Sequence, residues 1–196
     1  MRDYLVIDLE ATCDDQGAVP RPETEIIEIG AVLVDGRTLA PKSEFQTFIR
    51  PVRHPRLTGF CTQLTSITQG DVESAPSFTV ALSQLAEFIN VHEGAHPLFG
   101  SWGNYDRNQF RQDANFHCVS LPLGDDHLNI KQAFSDALGT EKRFGMARAL
   151  MRLGVPLQGT HHRGIDDARN IAVLLPYALG RTPFPPAPTG WRRKRT

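Results

Sequence analysis

An α/β fold, with one sheet flanked by helices and the first strand at its centre, is predicted by three observations. Three extended apolar segments come early, strand and helix patterns then alternate, and helical patterns fill Lys131 to Leu179. The length of 196 residues and the 40% hydrophobic content suffice for one globular enzyme domain with a sizeable core. No apolar run is long enough to cross a bilayer, and the opening residues are polar or charged. Neither a membrane span nor a signal peptide is therefore expected.

The first strand is Tyr4 to Glu10, an apolar run that implies cover on both faces. A polar loop, Asp14 to Glu23, leads to strands predicted over Glu25 to Val34 and Phe45 to Ile49, close enough in sequence to form hairpins. Phe78, Leu82, Leu85, Phe88 and Ile89 recur at helical intervals within Ser74 to Asn90, with Pro76 near the start as a first-turn proline. Pro97 to Ser101 reads as a fourth strand, Asn104 to Phe116 as a helix, and His127 to Ile130 as a short fifth strand. A final helix carries Ile165, Ala168, Ile171, Ala172, Leu175 and Leu179 on one face.

Asp8 and Glu10 break the apolar pattern of the first strand. Residues two apart share a strand face and lie roughly 6–7 Å apart. Two acids in a desolvated place either take up protons or bind a cation, and oxygen-only ligands favour magnesium or manganese over zinc. A solvent-facing edge strand is the competing reading. Asp106 follows the fourth strand at the opening of a helix; it is either a first-turn cap or a residue of a site gathered at strand ends. On the last helix the wheel lets Asp167 look inward and turns Asp166 to water. His162 stands two residues before that helix in a Gly-flanked loop, where a base can approach a substrate. Periodicity alone does not choose between it and its neighbour His161.

Cys13, Cys61 and Cys118 are widely spaced, with no Cys-x-x-Cys pair and no glycosylation sequon in the chain. Free, mostly buried thiols in a cytoplasmic protein are expected. Of 21 basic residues five lie in residues 181–196, which contain no acid, so residues 1–180 carry 16 bases against all 22 acids. Four prolines in that segment predict an extended, flexible tail, either a solvated end or a handle for a polyanion through Arg192, Arg193, Lys194 and Arg195.

Asp-x-Glu on a first strand, an aspartate after a middle strand and His-x-x-x-x-Asp near the end, in that order, resemble the DEDDh family of 3′→5′ exonucleases. The wording Ile7 to Cys13, Glu25 to Ala31, Phe60 to Thr68 and His162 to Ala172 is similar to exoribonucleases of the enhanced-RNA-interference and histone-mRNA 3′-end type, with their bacterial relatives. The likeness covers about residues 3–179. It implies a ribonuclease H-like fold with a central mixed five-stranded sheet flanked by helices, over residues 1–180. It also implies two divalent ions, Mg²⁺ or Mn²⁺, held by Asp8, Glu10, Asp106 and Asp167, with His162 as general base. The implied substrate is a 3′ end of RNA, contacted by Ala11, Thr12, Phe60, Leu64, Tyr105 and His162. The structural alternative for Phe60 and Leu64 is core filling. A proofreading-type DNA exonuclease shares the same catalytic positions, and a non-catalytic module binding nucleic-acid ends is a further alternative.

Overall fold

The structure, a computed structural model, describes residues 1–92 and 96–189. Five strands order as β3-β2-β1-β4-β5: β1 is Tyr4–Ala11, β2 Ile26–Val34, β3 Pro41–Phe48, β4 Leu98–Ser101 and β5 His127–Asn129. The first strand is central, as its apolar run predicts. It pairs antiparallel with β2 and parallel with β4, so the sheet is mixed. Among the described residues seven α-helices occur: α1 Gly59–Thr65, α2 Gln69–Glu73, α3 Phe78–Asn90, α4 Tyr105–His117, α5 Ile130–Ala137, α6 Met146–Leu153 and α7 Gly164–Ala178.

Alternation along β1 divides the core. Leu5, Ile7 and Leu9 face α3 and α4, whereas Val6 packs with Ile130, Phe134, Leu150 and Ile171 from α5, α6 and α7. Asp8 and Glu10 continue the Val6 side, so they point toward the layer that contains α7. One crossing makes this layer tight. A Cβ on Gly30, opposite Asp8 in the register, would stand 2.1 Å from the backbone of Gly164, so only glycine lets the start of α7 lie on the sheet there.

Four expectations are corrected. Helix α3 begins at Phe78 with Ser77 as its cap, so Pro76 precedes the helix instead of lying in its first turn. β3 begins at Pro41, earlier than its apolar stretch suggests, because pairing with β2 carries it back to Pro41 opposite Val34. Of the three cysteines only Cys61 is buried; Cys13 is half-buried and Cys118 exposed at the C-terminal cap of α4.

The fourth correction concerns the end of the chain, where the segment 181–185 has no regular secondary structure yet is held to the body. Phe184 packs on Phe134 and Tyr177, with ring centroids 5.2 and 5.7 Å apart. Arg152 donates to Pro185 O at 3.0 Å and Arg181 to Gly36 O at 2.7 Å. Prolines already fix an extended backbone, so burying one aromatic ring against it costs little further entropy. The folded body therefore continues past residue 180. Arg192 to Arg195 lie outside the described residues.

Candidate active site

Three elements deliver the acids. β4 pairs with β1 only as far as Val6 opposite Gly100, which leaves the Leu9 N–H without a strand partner on that side. Asp106, in the first turn of α4, takes it: Leu9 N donates to Asp106 Oδ1 at 3.1 Å. The carboxylate thus closes over the end of β4 beside Asp8 and Glu10. From the opposite layer, the Gly30–Gly164 crossing sets the first turn of α7 over the sheet, and Asp167 is buried there. Carboxylate oxygens of Asp8, Glu10 and Asp167 all lie within 4.8 Å of one another.

Crowding of like charges shows in the proton affinities. Burial pushes Asp8 well above the ordinary carboxylate range, and the charges of Asp106, Glu10 and Asp167 push it further. Burial, then Asp167, Glu28 and Asp106, raises Glu10 to about 9. Asp106 is raised to about 6, chiefly by burial, against the Leu9 hydrogen bond that favours its charged form. Asp167 is raised by burial while His161 and the His162 N–H pull it back. Among the described residues no hydrogen bond reaches the carboxylate of Asp8 or of Glu10. Oxygen-only donors, drawn together and short of hydrogen-bond partners, fit a hard divalent cation such as Mg²⁺ or Mn²⁺.

The histidine doublet divides its contacts. His161 Nδ1 lies 2.8 Å from Asp167 Oδ2, whereas His162 gives that same oxygen its backbone N–H at 3.0 Å. The two rings stack, with centroids 4.0 Å apart. His162 adopts the left-handed backbone region, φ 64°, a conformation to which histidine is better suited than most residues. Burial and the adjacent His161 lower the proton affinity of its imidazole, which keeps it available as a base. Asp166 is half-buried instead of fully turned to water: it accepts from Thr160 N and Arg169.

The substrate candidates lie on α1 and beside the start of α4. Thr58 caps α1 through Cys61 N and donates its hydroxyl to Cys13 O at 2.7 Å, tying the helix to the chain just beyond β1. Cys61 and Thr65 face inward, so Phe60 and Leu64, four apart on the other side, remain 36% and 37% exposed. Core filling is therefore not their role. Tyr105 is exposed and, with Thr12, Asn108, Gln109 and Gln112, lines a cleft of about 480 Å³. Thr12 is a more limited contact than expected, because its N–H already donates to Glu25 O and its hydroxyl accepts from Glu25 N. Ala11 is buried, its carbonyl facing the Cys61 thiol.

Glu28 was missed as a supporting residue although its segment stood out in the sequence. It lies opposite Glu10 in the register, is fully buried, and accepts from Gln46, Arg163 and Gly164 N. It thereby anchors the start of α7 and the loop bearing both histidines. Only its unusual place in an apolar strand could have signalled this.

Fold and site together match the DEDDh exonuclease domain on a ribonuclease H-like scaffold. The exonuclease family profile matches residues 5–175, and the chain belongs to that family. It is 35% identical over 181 residues to ERI1 exoribonuclease 3 of Mus musculus, covering 88% of this chain and 52% of the relative. It is 31% identical over 180 residues to 3′-5′ exoribonuclease 1 of Homo sapiens, covering 87% and 50%. The chain thus spans about half the length of these relatives. Among solved structures, the nuclease domain of 3′hExo, a DEDDh family member bound to rAMP, superposes with a TM-score of 0.77 at 26% identity over 88% of each chain.

Proposed function

We propose that this protein is a 3′→5′ exoribonuclease that hydrolyses single-stranded RNA or 3′ overhangs and releases nucleoside 5′-monophosphates. The observation that carries the reading is the convergence of Asp8, Glu10 and Asp167 within 4.8 Å, with Asp106 closing the strand end beside them. The relatives named exoribonucleases support RNA over DNA, as does the rAMP in the similar 3′hExo nuclease domain.

Asp8, Glu10, Asp106 and Asp167 would hold the two divalent ions. When bound, such ions offset charge that builds on the phosphodiester oxygens during in-line attack. His162 would take the proton from the attacking water at an imidazole nitrogen and then release it to solvent. Glu28 holds Arg163 and Gly164, and so fixes where that histidine loop stands. Phe60, Leu64 and Tyr105 would stack or wedge the terminal nucleotide, contacts that tolerate any base.

The deciding assay uses 5′-labelled and 3′-labelled RNA, matched DNA and circular RNA, each with Mg²⁺, Mn²⁺ or chelator. Stepwise shortening of linear RNA from the 3′ end with release of mononucleotides is expected, with circular RNA resistant and chelator blocking all turnover. His162→Ala should lower turnover by about 10²–10⁴ while end binding persists. Cleavage of circles, or faster hydrolysis of DNA than RNA, would overturn the assignment.

A further inference from the structure

Helix α4 shows a different chemistry on each of its edges. Asp106 turns to β1 and Tyr105, Asn108, Gln109 and Gln112 line the cleft beside it. Arg107 and Arg111, four apart and so on one edge, look the other way. They enter a second hollow of about 300 Å³ between α4 and the segment leading to β5, lined also by Asn115, Ser120, Asp125 and His127.

The hollow holds two arginines that no acidic group reaches. Among the described residues neither arginine has an acidic partner within 4.0 Å, although Asp125 shares the wall. The Arg107 Nε is buried and has no hydrogen-bond partner. A guanidinium N–H taken from water with no acceptor loses hydration and gains nothing, which is tolerable where a ligand supplies the oxygen. His127 adds a polar ring at the base of the hollow, packed on Phe99 and 2.9 Å from Ser101 Oγ. Burial and the two arginine charges lower this imidazole to about 4, so a neutral ring faces the two guanidinium groups.

Two guanidinium forks on adjacent turns match an anion with several oxygens better than a halide or a lone carboxylate. We propose that this hollow is a phosphate-binding site, separate from the acid cluster, that takes either a backbone phosphate of the nucleic-acid strand or the phosphate of a free nucleotide. The strand source rests on the nuclease reading; the free-phosphate source does not.

The test uses the full chain in chelator, so that no hydrolysis occurs. Histidine side-chain NMR follows the His127 ring while inorganic phosphate, adenosine 5′-monophosphate or a 12-nucleotide RNA is added. At least one of these should shift the His127 signal saturably, and the shift should vanish in Arg107→Gln/Arg111→Gln. Arg111 is exposed, so Arg111→Gln alone keeps the fold and should weaken the same response several-fold. If the strand is the ligand, the double variant binds RNA more weakly, and the log–log salt slope of binding falls by about 0.7 for each phosphate that is no longer neutralised. Turnover of a dinucleotide with Mg²⁺ should be unchanged. If a free nucleotide is the ligand, the monophosphate shifts His127 while RNA affinity is the same in both proteins. A His127 signal unmoved by all three probes in the unaltered protein overturns the site, whether or not RNA is hydrolysed. Hydrolysis failing while phosphate still moves His127 would instead reject the nuclease reading alone.

Discussion

Two sets of buried acids lie within one sheet and its helices, and they differ in what they are given to accept. Glu25 receives three backbone N–H groups, from Val52, Arg53 and His54, at 2.8–2.9 Å. Glu28 is met by Gln46, Arg163 and Gly164 N, and Asp113 by Ile26 N, Gln109 and the Arg53 guanidinium. Asp8 and Glu10 receive nothing of the kind. Asp106 and Asp167 stand between the sets, each with backbone N–H support but pressed against other carboxylates. A buried carboxylate with its oxygens satisfied is finished structure. On the proposed reading, one left unsatisfied among its own kind is a ligand, because only a cation relieves the repulsion without a proton.

The largest expected effect separates the sets by activity and stability together. Asp8→Asn and Glu10→Gln keep shape and remove a charge, so each should drop hydrolysis to the level seen in chelator. Their melting temperature in chelator should be unchanged or higher, since each removes like-charge repulsion. Glu25→Gln and Glu28→Gln put an amide NH₂ against N–H donors and should cost about 1–3 kcal/mol each in denaturant unfolding. A destabilised Asp8 variant beside an undisturbed Glu28 variant would reverse which set builds the fold.

The ligand set was the more legible of the two in the sequence, for a physical reason. Asp8 and Glu10 violate a local pattern, and a two-residue strand period puts them on one face without knowledge of the rest of the fold. The final helix likewise shows Asp167 inward. Satisfaction is not local: the donors to Glu28 come from positions 18 and 135 residues away, so nothing near it in sequence marks it as paired. The same limit hid α1 and α2. They have seven and five residues, too short for a helical period, and are specified instead by Thr58 and Thr68 caps. It also hid the docking of Phe184, since proline content reports an extended backbone and not whether a neighbour covers it. Periodicity left the histidine doublet open, and the two members differ only in tertiary detail: the His161 ring lies on Asp167, while His162 takes the positive φ.

A pH series sharpens the distinction with a smaller effect. In chelator the folded protein holds protons on Glu10, at about 9 against an ordinary 4.5, on Asp106 at about 6, and on Asp8. The unfolded chain has already released them. Because the folded pKa values are raised, this stabilisation is complete below the unfolded values near 4 and is lost as pH climbs toward 9. Melting temperature in chelator should therefore fall across that window, and Glu10→Gln should flatten the fall. Mg²⁺ or Mn²⁺ should restore stability by an amount that grows with pH, since the ions compete with those protons. A metal-free melting temperature that rises through the same window would show that the acid cluster is not protonated.

The smallest effect belongs to Asp166, which has donors but is only half-buried. Its carboxylate accepts from Thr160 N and Arg169 Nη1, both at 2.9 Å, and Arg169 is shared with Glu44. Solvent screens such a pair, so Asp166→Ala should cost about 0.5–1 kcal/mol. Thr160 leads directly into His161 and His162, so any kinetic change should appear as a modest fall in kcat with metal affinity unaltered, measured by titrating Mn²⁺ against activity. Asp167→Ala, one residue on, should instead abolish turnover. Equal losses at the two positions would mean that the helix delivers both acids to the cluster, and that donor count and burial do not separate a structural carboxylate from a ligand in this fold.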